Sequence, residues 1–320
     1  MIKDPTNPPF VTVVVLTFNS AKTVIETLES VRTQERCAIE LVVADDCSTD
    51  GTQDLVRQWV DANASAFVNC HMLFNPVNAG ICQNVTRAYT AARGEWIKPI
   101  AGDDILMPSA LFAFCEAGRR AAPDVGAIIG RVHTFTGNGA ERSFGDILPP
   151  AGVLEQLQGR AADLLERLVR TNTIPAPGVF VRKSAFEACG GADEEFVHLD
   201  DWPLWINMLE HGMRFETIQD VIVGYRVHGG SISARRSAPT IDRRYLRDMI
   251  TFHQRYQCRY FPLLERIDGG IYALRWYLAL DLFRNKPSAY AATTLLHVFS
   301  PLQWRKLFNR MKTATPSGKH

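Results

Sequence analysis

The sequence predicts an α/β protein built on a doubly wound, mostly parallel sheet, and three observations carry that prediction. Short apolar runs alternate with helix-period segments over the first 135 residues. The first run, from Phe10 to Leu16, is β-branched and almost unbroken, as expected of a strand buried on both faces. Carboxylate pairs then follow the ends of such runs, at Asp45-Asp46 and Asp103-Asp104. That is the edge at which open α/β sheets bind their ligands.

Taken in order, Phe10 to Leu16 is the first strand, closed by Thr17-Phe18-Asn19-Ser20. A helix from about Ala21 to Thr33 places Val24, Leu28 and Val31 on one face. Ile39 to Ala44 is the second strand, Gln53 to Val60 a helix, and Cys70 to Phe74 the third strand. Asn78-Ala79-Gly80 turns into a helix reaching Ala92, and Trp96 to Ile100 is the central strand. Pro108 at a helix start opens a helix to Arg120, and Val125 to Phe135 returns as strand. This alternation implies right-handed β-α-β crossovers. The middle is less regular: a Gly- and Pro-rich loop over Gly137–Gly152, a helix from Leu154 to about Arg170, and a short strand Val179–Val181. A helix opening near Pro203 and a strand over Ile218–Val227 complete this part. From Ile241 the pattern is helical, basic and aromatic, with no repeat or low-complexity tract anywhere.

Composition limits the function classes. With 46% apolar and 22% charged residues, the 320-residue chain is soluble and globular in type. A net charge of +1 argues against a nucleic-acid binder, so no nucleic-acid partner is expected. The even balance hides an asymmetry. Residues 241–320 hold fourteen Lys/Arg against five Asp/Glu, a surplus of nine, which leaves the first 240 residues at minus eight. Seven cysteines without a Cys-x-x-Cys spacing read as reduced thiols in a cytoplasmic chain, not a disulfide framework or zinc site. The start lacks the apolar stretch of a secretory signal, and no run of 18 apolar residues offers a membrane span.

The chemistry concentrates in three acidic pairs. Asp103-Asp104 follows an apolar strand and Gly102, an arrangement suited to a divalent metal that holds a diphosphate. Its competing role is an N-cap, Asp104 standing just before a helical run. Asp45-Asp46 has no Gly-x-Gly-x-x-Gly beside it and the first strand no glycine loop, which excludes a dinucleotide or P-loop cradle. A carboxylate there suits a base N–H or a ribose hydroxyl, or else caps the next helix together with Ser48, Thr49 or Asp50. Asp200-Asp201 is the third pair, and Asp201 competes between a proton acceptor and an N-cap for the helix near Pro203.

The motifs Thr17-Phe18-Asn19, Asp45 to Thr52, Asn78-x-Gly80 with Asn84, and Gly94-Glu95-Trp96-Ile97 resemble those of family-2 glycosyltransferases of the GT-A fold. So do Ala101-Gly102-Asp103-Asp104, Asp200-Asp201-Trp202 and Tyr225-Arg226-Val227-His228-Gly229-Gly230-Ser231, in order over residues 10–233. The resemblance implies a glycosyltransferase domain over 1–235, with a nucleotide-sugar half near 1–135 and an acceptor half near 136–235, and a basic helical extension over 236–320. It also implies an inverting hexosyl transfer from a nucleoside-diphosphate sugar, usually UDP-linked, to a hydroxyl acceptor in polysaccharide or glycolipid assembly. By position, Thr17, Phe18, Asn19, Asp46, Asn84 and Asp103 would bind the nucleotide sugar, with Phe18 flanking the base and Asp46 bonding it. Asp104, with His228, would hold Mg²⁺ or Mn²⁺, and Asp201 would be the general base. Asp200 and Trp202 would face the acceptor, a saccharide or lipid-linked saccharide. Leu16 replaces a common proline, Asp200 replaces the usual Glu, and the Gln-x-x-Arg-Trp signature of processive synthases is absent, so a single addition is expected.

Two other classes stand beside this reading. A sugar-phosphate nucleotidyltransferase would need a glycine-rich basic loop where Thr17-Phe18-Asn19-Ser20 stands, and a non-catalytic nucleotide-sugar-binding module would not need the third acidic pair. The basic end, with Leu295, Phe299, Trp304 and Phe308 among Arg305, Lys306, Arg310 and Lys312 over 289–312, suits an anionic membrane surface on the inner face. A helix packed on the protein with a solvated basic face is its alternative.

Overall fold

Seven residues, Val11–Thr17, form β1, and every one except Leu16 is fully buried. The strand is flanked on both sides by parallel neighbours, β2 (Ile39–Asp45) and β4 (Trp96–Ala101), with β3 (Asn69–Phe74) beyond β2. Two-sided burial explains the unalternating Val-rich sequence. The computed structural model describes residues 11–228, 243–279, 293 and 295–301, and the chain divides into the units Met1–His228 and Gly229–His320.

Register decides where the chemistry falls. Thr17 pairs with Asp45, Asp45 with Phe74, and Leu16 with Ala101. The three strand ends are therefore level, and the loops carrying Phe18, Asp46 and Asp103 leave the sheet along one edge. Between the strands run α1 (Val24–Arg32), α2 (Thr52–Asn63) and α3 (Ile81–Ala91). Each buries one stripe at helical spacing, for example Val24, Leu28 and Val31 in α1 or Val56 and Val60 in α2. These stripes and the strand valines form one core with Trp59, Trp96 and Phe114.

Beyond β4 the expected parallel succession is interrupted. The next neighbour is β8 (Val179–Arg182), antiparallel to β4, and β6 (Val125–Thr136) comes only after it, antiparallel to β8. Then follow β9 (Arg214–Arg226), parallel to β6, and the two-residue β5 (Ile105–Leu106), giving the order β3-β2-β1-β4-β8-β6-β9-β5. All four residues of β8 are buried, and Phe180 stacks on Trp96 at 4.9 Å and on Phe114 at 4.8 Å. Those stacks seat β8 against β4 and against α4 (Ala110–Arg120).

The middle of the chain holds more structure than its composition suggests. Within the presumed loop 137–152 lies β7 (Ser143–Leu148), paired with β6. It is exposed along most of its length, so no apolar alternation betrays it. The single helix expected over 154–170 is two, α5 (Ala151–Glu155) and α6 (Ala161–Leu168), separated at Gly159, whose φ is +119°. Unanticipated α7 (Lys183–Ala188) precedes α8 (Trp202–Glu210). In the second unit the described helices include Arg243–Phe252 and Leu263–Tyr277. Most of segment 289–312 lies outside the described residues. Among the described residues no helix is long and apolar enough to cross a membrane.

Gly102 shows how tightly the site edge is packed. A Cβ there would lie 2.8 Å from Thr17 Cγ2 and 3.1 Å from Ser20 Oγ, while its amide donates to the Leu16 carbonyl at 2.8 Å. Gly102→Ala should therefore destabilise the fold by about 1–3 kcal/mol. Gly152→Ala, where a Cβ meets nothing within 4 Å, should change little. Urea unfolding of the two variants checks the contrast.

Candidate active site

At the end of β1, Thr17 Oγ1 donates to Asp45 Oδ2 at 2.7 Å. Asp45 also accepts from the Ser48 amide and hydroxyl and from Gln53 Nε2. It is thus the fastener of its own loop. Asn19 adopts a left-handed φ of +52°, which Asn tolerates, and its Oδ1 accepts from the Thr49 amide at 2.9 Å. The same residue's amide donates to Ser48 Oγ at 2.8 Å. Phe18 is left projecting, 52% exposed, on the rim.

Asp46 is buried. Its Oδ1 accepts from Asn75 Nδ2 (2.9 Å) and the Ala79 amide (2.8 Å), and its Oδ2 from the Gly80 amide (2.9 Å). Asn84 is buried too, donating to the Ala44 carbonyl at 3.0 Å and accepting from Asn75. Of the residues expected to bind the nucleotide, Thr17, Asn19 and Asn84 thus frame the rim through internal bonds. Phe18 is the group that projects.

The second acidic pair splits by burial. Asp104 lies beneath the surface: Oδ1 accepts the Arg226 amide at 2.8 Å, and Oδ2 is buried with no partner. Desolvation and the neighbouring Asp103 charge push its carboxyl well above the ordinary range. Asp103 is the outward member, and its Oδ2 meets His228 Nε2 at 2.9 Å. The sequence points to Asp104 as the ion ligand; burial instead gives Asp103 the solvent-facing position. Thr23 and Thr27 hold the loop from below, donating to the Gly102 and Asp104 carbonyls at 2.7 Å each.

Two basic residues that the sequence reading did not single out complete this floor. Arg226 is buried, and its Nε donates to the Asp103 carbonyl at 2.7 Å. Its remaining nitrogens reach the Gly137 carbonyl, Asn138 Oδ1 and the Glu26 carboxylate, with the guanidinium 4.5 Å from the Phe135 ring centre. Burial would raise the Glu26 carboxyl, but Arg142 and Arg226 outweigh it and hold it below its usual range. Lys98, inside β4, is also buried, and its Nζ donates to the Pro99 carbonyl at 2.5 Å and the Pro177 carbonyl at 2.6 Å. Desolvation lowers it to about 7 against the opposing pull of Asp104. The visible signal was a lysine in the middle of the apolar strand Trp-Ile-Lys-Pro-Ile.

The third pair lies at the start of α8. Asp201 makes no side-chain capping bond to that helix; instead its Oδ2 accepts from Asn172 Nδ2 at 2.9 Å. Beside it, desolvation and the Asp201 charge raise Asp200 to about 7. Trp202, expected on the acceptor side, is buried, and its indole N–H donates to the Leu168 carbonyl at 2.6 Å, bracing α8 on α6. Trp205 is core, edge-on to Phe215 at 6.2 Å.

A divalent ion suits the Asp103 region. Asp103 and His228 offer oxygen and nitrogen donors at contact distance, and Asp104 adds a buried oxygen without a partner. Among the described residues no cluster of three or more His, Cys, Asp or Glu is arranged for a metal. A hard ion bound through one or two carboxylates and completed by substrate phosphates does not require one.

The family model for Glycosyl transferase family 2 matches residues 12–187, more than half of the chain. The chain belongs to that family. Among its relatives is the Succinoglycan biosynthesis protein ExoO of Rhizobium meliloti, 35% identical over 117 residues. That match covers 37% of this chain and only 32% of ExoO. The UDP-Glc:alpha-D-GlcNAc-diphosphoundecaprenol beta-1,3-glucosyltransferase WfaP of Escherichia coli is 22% identical over 71% of this chain and 80% of its own. The fold matches the mannosyltransferase PcManGT of Pyrobaculum calidifontis, solved with GDP-Man and Mn²⁺ (TM-score 0.58, 20% identity, 98% of this chain and 83% of that one). It also matches S. aureus TarS 1-349 in complex with UDP-GlcNAc (TM-score 0.57, 17% identity, 84% and 72%). This family-2 chain is therefore a glycosyltransferase of GT-A fold, which replaces the nucleotidyltransferase and non-catalytic alternatives.

The raised Asp200 predicts a pH signature. Unfolded, an Asp titrates near about 3.9; folded, this one titrates at about 7. Between those values the folded state keeps a proton that the unfolded state has lost, so stability falls as pH rises through the window. Asp200→Asn should flatten that slope and be more stable than the parent above pH 7. Thermal melts at several pH values read both effects.

Proposed function

We propose that this glycosyltransferase moves one hexosyl unit, with inversion, from a UDP-linked donor to a hydroxyl of a saccharide or lipid-linked saccharide during surface polysaccharide or glycolipid assembly. The observation that carries the reading is the level strand edge. It brings Phe18, Asp46 and the Asp103–His228 pair onto one rim of the sheet. UDP-GlcNAc in the TarS structure, and the UDP-glucose and diphosphoundecaprenol-linked substrates in the WfaP name, support the donor and acceptor classes.

In this reading Phe18 lies along the base and Asp46 borders it, its carboxylate already engaged by the 75–80 loop. Asp103 and His228 would hold Mg²⁺ or Mn²⁺, with Asp104 beneath. When bound, the ion neutralises the charge gathering on the departing nucleoside diphosphate. Arg226 keeps the Asp103 backbone in place through its carbonyl. Asp201, oriented by Asn172, takes the acceptor hydroxyl proton as the new bond forms to the anomeric carbon, while the donor's C–O bond breaks on the opposite face. Asp200 shapes the acceptor side.

The test combines a panel of nucleotide sugars with one variant. Nucleoside diphosphate release should require Mg²⁺ or Mn²⁺ and stop with EDTA. Asp201→Asn should lower transfer by about 10²–10⁴ with calorimetric donor affinity nearly unchanged. A product retaining the donor's anomeric configuration, or near-normal turnover of Asp201→Asn, overturns the base assignment.

An anionic membrane surface is the proposed site of encounter with a lipid-linked acceptor, which places the enzyme in the cytoplasm, peripheral on the inner face of the membrane. In helix Leu263–Tyr277, Leu263, Ile267, Leu274 and Tyr277 are exposed and share one face by their spacing. The surplus of positive charge over 241–320 complements anionic lipid. The full chain should float with phosphatidylglycerol liposomes, and a Leu263→Glu, Leu274→Glu double variant should not. Equal flotation removes this helix from the account.

A further inference from the structure

Cys37 and Cys115 stand 78 positions apart in the chain, yet their sulfurs share a hydrogen bond at 2.9 Å. Cys37 lies in the connection between α1 and β2, and Cys115 lies within α4. The approach is built by the residues just before Cys37. Gln34 Nε2 donates to the Met107 carbonyl at 3.0 Å, and the Leu111 amide donates to Gln34 Oε1 at 3.1 Å. Arg36, held at a left-handed φ of +64°, sets its guanidinium 3.7 Å from the Phe112 ring centre. These three contacts, from Gln34 and Arg36, hold the 34–37 segment against α4 and the residues just before it and bring the sulfurs together. A disulfide needs a separation of roughly 2.05 Å, so less than an ångström of closure remains.

Within the pair the two thiols are unlike: Cys37 is made more acidic, while the bond to Cys37 and burial raise Cys115. The Cys115 thiol beside it, then the guanidinium groups of Arg119 and Arg36, hold the Cys37 thiol below its ordinary value. Burial instead pushes Cys70 up to about 11 and also raises Cys189. Cys37 is partly exposed and Cys115 is buried, so an incoming reagent meets Cys37 first. A more acidic, reachable thiol beside a second, sheltered one is the arrangement of an attacking and a resolving cysteine.

We propose that Cys37 and Cys115 form a redox modification site, closed to an intramolecular disulfide by small disulfide oxidants of the oxidised-glutathione class. The Cys37 thiol gives its proton to solvent, and its thiolate attacks one sulfur of the oxidant, expelling one glutathione thiolate. The Cys115 sulfur, losing its own proton, then attacks Cys37 Sγ in the mixed disulfide and expels the second. Two protein thiols are oxidised and one small disulfide is reduced to two thiols. The closed loop runs from 37 to 115 and contains Asp46, Asp103 and Asp104. The bond would therefore tie the α1–β2 corner to the helix that follows the candidate ion loop. None of this depends on the proposed donor or base.

The full-length native chain is equilibrated in oxidised and reduced glutathione mixtures, its free thiols are alkylated, and it is digested without reduction for mass spectrometry. The expected result is a peptide pair joined through Cys37 and Cys115, with two of the seven thiols lost and the melting temperature raised by on the order of 10 °C. Dithiothreitol should reverse all three. Cys37→Ser, changed at the partly exposed position, should melt like the reduced parent and yield no such pair. Recovery of both cysteines in alkylated form, or of Cys37 only as a glutathione adduct, overturns the proposal.

Discussion

The buried guanidinium of Arg226 joins pieces of chain that lie as much as 200 positions apart. It reaches Glu26 on α1, Gly137 and Asn138 just past β6, and the Asp103 carbonyl, while its own amide binds the Asp104 side chain. A buried charge left without partners is costly, so such a group makes its partners mutually dependent. The loop bearing Asp103 and Asp104 is thus held jointly by the end of β9 and, through Arg226, by Glu26 of α1. The stretch Tyr-Arg-Val-His does more than end a strand: Arg226 sets the floor, and His228, two residues on, meets the carboxylate above it.

The second and third acidic pairs divide their labour through burial. In each, one carboxylate is desolvated and raised, Asp104 in the second and Asp200 in the third. The other member of each pair meets a side chain, Asp103 that of His228 and Asp201 that of Asn172. Two adjacent like charges cannot both be cheap to hold in a protein interior, and unequal burial relieves the conflict. Lys98 works in the same electrostatic field from within β4, giving its protons to two carbonyls, one of them in the segment leading into β8.

Much of the first 135 residues was legible because the physics there is local. Unbroken Val runs, helical stripes and acidic strand ends marked β1 to β4 and their helices to within a few residues. The rest depended on contacts that carry no local mark. β7 is a strand only because β6 is beside it, being too exposed to show alternation. β8 sits between β4 and β6 through aromatic stacking that no spacing reveals. The acidic pairs were visible as chemistry, but which member of Asp103-Asp104 is buried was not, since Asp104 is held by the Arg226 amide from far along the chain. The bracing role of Trp202 was equally hidden, since its indole partner is a backbone carbonyl on another helix.

The path from β6 to β8 has a consequence for how such an enzyme can change. Residues 137–178 run from the end of β6 to its hydrogen-bonded neighbour β8, laying β7 along β6 on the way. The Lys98–Pro177 bond clips their end to the strand that precedes the ion loop. A detour whose two ends are so pinned can lengthen, shorten or exchange its contents at slight entropic cost. The exchangeable stretch is narrower than its ends suggest, because Asn138 and Arg142 hold Arg226 and Glu26, and Asn172 holds Asp201.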